Sequence, residues 1–339
     1  MPQHDHTGGN YWFGNIVQYQ DANGLLRIGD ELTTTQNLAL DLAQQRAAAR
    51  LTQAADLVIE GDTLKVVNLT AHKLITGYPE GRRMWLNIKW YDDAGTLLRE
   101  DGAYGPIGVT IPNPAGGPNV EVESIIDLDD PNLVIYEAHY AMTQAWAERL
   151  IDVFGYPADL ALSYDRHTGE ADHTLGDLAA EAPGTYHETY HVTLNNHVAT
   201  DSRIPPYGMR YDVALLRNVL PVPATLYGDG VPDSVYRHWD EIDLAARRPS
   251  GALHANISLL YQGTSWEYIQ FLHLANTGEN DFLGSEGVNM LEAWINTEVS
   301  VAMQVAGDRR MVPPFVMKTI EWDGVALGAT GPAGLDSRP

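Results

Sequence analysis

Cysteine is absent from this 339-residue chain. That excludes disulfides, zinc–thiolate sites, iron–sulfur clusters, cysteine nucleophiles and thioether attachment of a haem within the chain. Positive charge is scarce as well: 21 lysines and arginines face 45 acidic residues, a formal net charge of -24. Nucleic-acid binding draws on Lys and Arg to displace counterions, so this surface repels phosphate backbones and, for the same reason, anionic membranes. The acidic excess favours solubility and suits cationic partners. No apolar run approaches the ~18 residues a spanning helix needs. The chain as given has no basic end followed by an apolar run of the signal-peptide kind. A phosphate loop is missing too, because GYPEGRR lacks the G-x-x-x-x-G-K-[ST] spacing. Ser163 in LSYDR and Ser265 in TSWEY lack the nucleophile-elbow context.

Hydrophobic residues make up 44% of the chain and charged residues 19%, enough for a sizeable core. Asp21-Ala22-Asn23-Gly24 lies between YWFGNIVQY and LLRI, whose aromatic and β-branched content predicts a short hairpin. From Thr33 the pattern changes to strong helix formers behind good N-cap residues, predicting one helix from about Thr34 to Asp56. Its apolar stripe is either Leu38, Leu42, Ala49 or Leu40, Ala43, Ala47, Leu51. Beyond it the period falls to two. LVIEGDTLKVVNLT reads as a tight hairpin, and Met84, Leu86, Ile88 and Trp90 lead into an Asp-Asp-Ala-Gly turn. VEVESIID, LVIYEAHYAM, ETYHVTLNN, GALHANISLLYQ and FVMKTIEW are further strand candidates. SWEYIQFLHLAN and LGSEGVNMLEAWINT, with Ser285 as its cap, are helical. The fold class expected is mainly β with α additions: an antiparallel β-sandwich-like domain with an N-terminal helix and C-terminal helices. The division expected is residues 1–56, an N-terminal segment with the long helix, and 57–339, the β-rich domain.

HETYH at 187–191 matches the H-E-x-x-H zinc-hydrolase signature, which needs His187 and His191 one helical turn apart with Glu188 as base. Here apolar and polar residues alternate from Tyr186 to Asn195, which predicts a strand, where residues four apart lie ~13 Å from each other. The Asp127, Asp129, Asp130 cluster and the Asp21/Asn23 turn offer oxygen ligands to calcium, but neither completes a twelve-residue loop with its closing Glu, and such turns are ordinarily just turns. Asn68-Leu69-Thr70 and Asn256-Ile257-Ser258 match the N-glycosylation triplet inside predicted strands. His72 stands apart from the other histidines. It occupies a short polar loop between two strands, followed by Gly77, Pro79 and Gly81, and loops pinned on a rigid sheet often present functional side chains.

NLTAHKLITGYPEGRRMWLNIKWYDDAG resembles a segment of multihaem c-type cytochromes that usually reads N-x-T-G-H-K-L-P-T-G-Y-P-E-G-R-R-M-W. YEAHYAM, ETYHVTLNNHVATDSRIPPYGM and LLYQGTSWEYIQFLHLAN, followed by LEAWINT, are similar to later segments of that family, in its order, so the resemblance covers roughly residues 1–300. In these cytochromes the last C-x-x-C-H motif is commonly followed by Met-Pro and then H-x-F-x-G-G-N. This chain opens Met1-Pro2 and continues His4-Asp5-His6-Thr7-Gly8-Gly9-Asn10. The resemblance implies an accessory C-terminal domain of an electron-transfer protein, scaffolding haem c carried by an upstream part or a partner. It carries His4 and His72 over as distal axial ligands. His6 replaces the usual Phe, so either His4 or His6 fits the first position. Ala71 replaces Gly and Ile75 replaces Pro in the second motif. The expected partners are a haem-bearing domain or subunit and redox proteins, the parent protein being periplasmic or extracellular, with no catalysis by this chain alone. The alternatives from other classes are a haem-free sandwich binding carbohydrate or a protein partner, and a zinc hydrolase through HETYH.

Overall fold

The computed structural model describes residues 8–27, 31–75 and 77–324. Its largest sheet has five strands built around β3 (Arg83–Tyr91). One edge of β3 pairs with β14 (His254–Gln262), which in turn pairs with β15 (Phe315–Asp323); the other edge pairs with β7 (Val134–Tyr136) and then β4 (Leu97–Asp101). A three-stranded sheet runs β1 (Ala55–Glu60), β2 (Thr63–Asn68), β13 (Trp239–Asp243), and another runs β11 (Tyr186–Glu188), β8 (Ala138–Thr143), β12 (His197–Asp201). Two pairs complete the β structure: β5 (Tyr104–Ile111) with β6 (Val120–Ile125), and β9 (Ala161–Tyr164) with β10 (Ala171–Thr174). Every pairing of these strands is antiparallel. The longer helices are α1 (Phe13–Ala22), α2 (Thr34–Ala54), α3 (Gln144–Asp152), α7 (Trp266–Leu274) and α8 (Glu286–Asn296). Single turns or little more form α4 (Leu175–Ala180), α5 (Tyr211–Leu216) and α6 (Leu244–Arg247). The class is the one expected, mainly antiparallel β with helical additions, and the sheets are open. Among the described residues no helix is long and apolar enough to cross a membrane.

Alternation along β3 builds the centre. Met84, Leu86, Ile88 and Trp90 point one way into the main core, with Ile257, Leu259 and Phe315 of the same sheet and Leu57, Leu64, Val66 and Ile242 of the β1–β2–β13 sheet. Trp85 points the other way, onto Ile125 and Leu260. Each such side chain contributes about 1.5–3 kcal/mol on burial, so a strand buried on both faces is the least replaceable in the molecule. Tyr11, Ile16, Ala47 and Leu51 extend the same core to α1 and α2. A smaller core of Met142, Ala147, Leu150, Leu162, Leu175 and Leu178 lies between α3, α4 and strands β8 and β9.

The two local hairpins form as expected, β1–β2 around Gly61 and β3–β4 around Gly95, both glycines at positive φ. The long helix is capped by Thr33, whose side chain accepts from Gln36 N–H while Gln36 reaches back, the reciprocal box that satisfies two orphan donors. Of its two possible stripes, the one through Ala47 and Leu51 is buried, whereas Leu38 and Leu42 remain 57% and 43% exposed.

The expected hairpin at 21–24 is not there. Residues 13–22 form α1, and Asn23-Gly24 stops it: Gly24 has φ +66° and Leu25 N–H bonds the Gln20 carbonyl at 2.7 Å. That bond and the left-handed glycine make a helix C-cap. Asn-Gly serves a helix end as well as a hairpin. Burial of Ile16 and the close approach of Gly14 to Gln44 of α2 select the helix; a Cβ on Gly14 would lie 2.4 Å from Gln44 Nε2.

Candidate functional site

The loop joining β2 to β3 carries His72 near one end and Glu80 near the other. Asn68, the last residue of β2 and 1% exposed, holds the first end. Its Nδ2 donates to the carbonyls of His72 (2.7 Å), Ile204 (2.9 Å) and Pro205 (3.0 Å), and its Oδ1 accepts from Thr70 N–H at 2.8 Å. Leu74 and Ile204 exchange backbone bonds of 2.9 and 3.1 Å. Lys73 Nζ reaches Asp201 (2.7 Å) and the Leu220 carbonyl (3.0 Å), and Arg203 clamps the same carboxylate at 2.7–2.9 Å. Burial disfavours the Asp201 charge, yet Arg203 and Lys73 hold its carboxyl below the usual range. The His72 backbone is therefore fixed, while its side chain is exposed and its ring makes no hydrogen bond among the described residues.

Beside His72 opens a cleft of about 660 Å³ whose walls include Lys73, Arg203, Arg210 and Arg217, with Tyr207 on its rim. Arg210 and Arg217 have no ion-pair partner among the described residues. In a chain of net charge -24 this is a local reversal of sign. Clefts lined by one charge concentrate the opposite one, so the site suits an anionic group beside a ligand of the imidazole. Tyr207 is 82% exposed. His4 and His6 lie outside the described residues.

The HETYH segment is neither the helix that zinc needs nor the strand expected to run to Asn195. Strand β11 ends at Glu188, and Thr189–Asn195 turns, with Leu194 and Asn195 N–H both bonded to the His191 carbonyl. Thr189 N–H still bonds the Tyr140 carbonyl in the register of β11 and β8, and the turn that follows is closed by Asn195 Nδ2 donating back to the Thr189 carbonyl. His187 Nε2 lies 2.7 Å from Ser163 Oγ, and His191 Nε2 lies 2.9 Å from the Ala161 carbonyl. Both rings face β9, each with its own partner, and burial pushes both imidazoles below the usual histidine range. Among the described residues no three acidic or histidine side chains converge to hold a metal. The Asp127 and Asp130 carboxylates cap backbone N–H groups two residues on, which is the ordinary work of a turn. Asn68 is closed to glycosylation because its amide is buried and fully bonded.

A second polar site was not foreseen. His139 of β8 sits between Glu137 (2.9 Å) and Glu188 (3.2 Å). Burial opposes its charge, but Glu137, Glu188 and Glu80 outweigh that and raise its pKa to about 9. Glu80, 3% exposed, is pushed by burial up to about 7, with His139 pulling it down and Glu188 pushing it up. The spacing of Glu137 and His139 on one face of a strand was visible in YEAHYAM. Glu188 and Glu80 come from a different strand and a loop, so no sequence spacing links the four.

The second end of the loop is held by close packing. Gly81 has φ +69°, and a Cβ there would lie 2.5 Å from Tyr268 Cβ. Next to it, buried Arg83 bonds Gln262 (3.0 Å), Ser124 (2.8 Å) and Glu267 (3.2 Å), and Arg166 reaches Glu267 at 2.9 Å. Burial works against ionised Glu267, but Arg83 and Arg166 overcome it and keep its pKa below the usual carboxylate range.

Comparison with known proteins gives little beyond this. No protein-family model matches the chain, and no curated protein matches its sequence. A crystal structure of a penta-heme cytochrome c552 from Thermochromatium tepidum is similar at a TM-score of 0.30 and 12% identity, over 81% of this chain and 41% of that one. The chain thus spans under half the length of that cytochrome, and a likeness at this score carries no functional argument.

Proposed function

We propose that this chain is an accessory domain of a multihaem electron-transfer protein, docking against a haem-bearing domain or subunit outside the cytoplasm and presenting His72 as an axial ligand. The observation that carries the reading is the fixed backbone and unbonded, exposed ring of His72 beside a cationic cleft in an otherwise acidic chain. The residues fit the group. A neutral imidazole offers one ring nitrogen to iron; Arg210 and Arg217 would offer countercharge to haem propionates; and Asn68 holds the loop so that little ordering remains to be done on docking. When bound, the haem supplies a one-electron couple, and this chain supplies the ligand, the countercharge and the shield. His4 or His6 would be the distal ligand of another haem in this reading. The haem c is held covalently elsewhere, since the chain has no cysteine.

The test is a titration with a short ferric haem c peptide that has one axial position open. Conversion to a low-spin bis-histidine spectrum is expected, reduced in His72→Ala and abolished when His4 and His6 are replaced as well. A spectrum unchanged in His72→Ala, and again in His4→Ala/His6→Ala, rejects the ligand assignments. A haem-free binding module is the second reading, favoured by the 82% exposure of Tyr207 and 87% exposure of Leu216. It gains if the peptide never becomes low-spin.

A further inference from the structure

We propose that the cavity between Glu80, β8, β9, β11 and α7 is a binding site for a small alkylammonium ion. It encloses about 180 Å³ and is lined by Glu80, His139, Tyr164, Glu188, Tyr190 and Phe271, among others. A dry cavity of about 150 Å³ accepts a benzene ring, so this one takes a ligand of about three to six carbons. The site is separate from the His72 cleft and does not rest on the haem reading.

Charge decides the ligand. Of the ionisable groups facing the cavity or directly behind it, His139 is paired with Glu137 and Glu188, and Glu267 is held by Arg83 and Arg166. Glu80 differs from these carboxylates in having no ion pair among the described residues. Its Oε1 is buried and has no hydrogen-bond partner among the described residues, although a buried carboxylate ordinarily has one. An anionic ligand would meet Glu80 and Glu188. A multivalent metal would need ligands that do not converge among the described residues. A monovalent N–H donor supplies both the missing charge and the missing hydrogen bond.

The remaining walls suit the same ligand. Phe271 stands edge-on to Tyr164 and Tyr190, with ring centroids 5.9 and 5.5 Å away. Aromatic faces attract cations and accept an alkyl chain. Burial raises the pKa of Glu80 to about 7 against the pull of His139, and a cation bound beside it would favour the ionised form further.

The experiment is calorimetric titration of the full chain at about pH 8, where Glu80 is ionised and the probe still charged, with n-propylammonium as probe and n-propanol as its neutral match. Saturable binding near the millimolar range is expected for so few atoms, with propanol at least about tenfold weaker. Glu80→Gln keeps the shape and removes the charge, and should cost about tenfold or more. Tyr164→Leu should cost about two- to fivefold through the lost ring face. Equal binding of propanol, an unchanged affinity in Glu80→Gln, or no saturable heat from propylammonium overturns the proposal. Should either variant fail to fold, the comparison of the two probes on the unaltered chain still decides it.

Discussion

His72 and Glu80 are eight positions apart in one loop, yet they occupy opposite environments. Around His72 the backbone is bound and the side chain free: Asn68 spends its amide on main-chain carbonyls, and the ring projects toward a cleft walled by Lys73, Arg203, Arg210 and Arg217. Around Glu80 the side chain is buried among Tyr164, Tyr190 and Phe271, and the neighbouring carboxylates already have their cations. One end of the loop is positive and open, the other negative and closed. A single short segment can therefore serve two ligand chemistries, because the sheets it bridges, not its own composition, set the local field. Arg203 links the two ends: it lines the His72 cleft, and its charge also acts on Tyr140, which lines the Glu80 cavity.

The largest effect expected from breaking this arrangement is at Gly81. Gly81→Ala puts a Cβ at positive φ and against Tyr268, and should destabilise the chain by about 3 kcal/mol in urea unfolding. A loss under about 1 kcal/mol would mean that the Glu80 end is loosely packed. Asn68→Ala is next, at about 2–3 kcal/mol, because it strands several buried carbonyls at once. Hydrogen exchange should show the gain in mobility confined to residues 69–75 and 203–205, which sharpens the contrast between a held His72 end and an independent Glu80 end.

Glu80→Gln has an effect that depends on pH. The folded pKa of about 7 lies above the usual 4.5, so the wild-type contribution is complete below about pH 4.5 and is lost as pH rises through about 7. Across that window wild type should lose roughly 2–3 kcal/mol that Glu80→Gln keeps. Urea unfolding at pH 5 and pH 8 checks the difference. His139 is raised to about 9, in part by Glu80, so in wild type its own contribution is complete below about pH 6.5 and fades toward pH 9, and it is smaller in Glu80→Gln. Parallel pH profiles for the two would show that Glu80 ionises normally. The smallest stability effect is at His72. His72→Ala should change stability by less than about 0.5 kcal/mol, since its exposed ring makes no hydrogen bond among the described residues, while weakening the low-spin haem spectrum. A large stability loss there would make the ring structural.

Much of the fold was legible where the controlling contacts are local. The Thr33–Gln36 cap, the Gly61 and Gly95 turns, and the alternation through Met84, Leu86, Ile88 and Trp90 all act within a few residues, whereas Ser285, expected to cap α8, stands at its N-terminus with no side-chain cap bond. The absence of cysteine, the acidic charge and the exposed loop of His72 were equally plain in the chain itself. Legibility failed where distant residues decide. The aromatic stretch before Asn23 looked like a strand until Gln44 and Phe315 gave it something to pack on as a helix. The strand through HETYH gave way to a turn in which the His191 carbonyl accepts from Leu194 and Asn195 and the Asn195 amide reaches back to the Thr189 carbonyl.

The sequence by itself determined that this chain can form no thioether haem link, that it builds a mainly β core, and that His72 stands on a pinned loop. Only the tertiary structure decided that the neighbours of His72 are cationic and those of Glu80 anionic and aromatic. The reason is physical: a side chain's charge state and free valence depend on which groups lie within a few ångströms, and Glu137, His139, Glu188 and Glu80 meet only after separate strands and a loop have folded together.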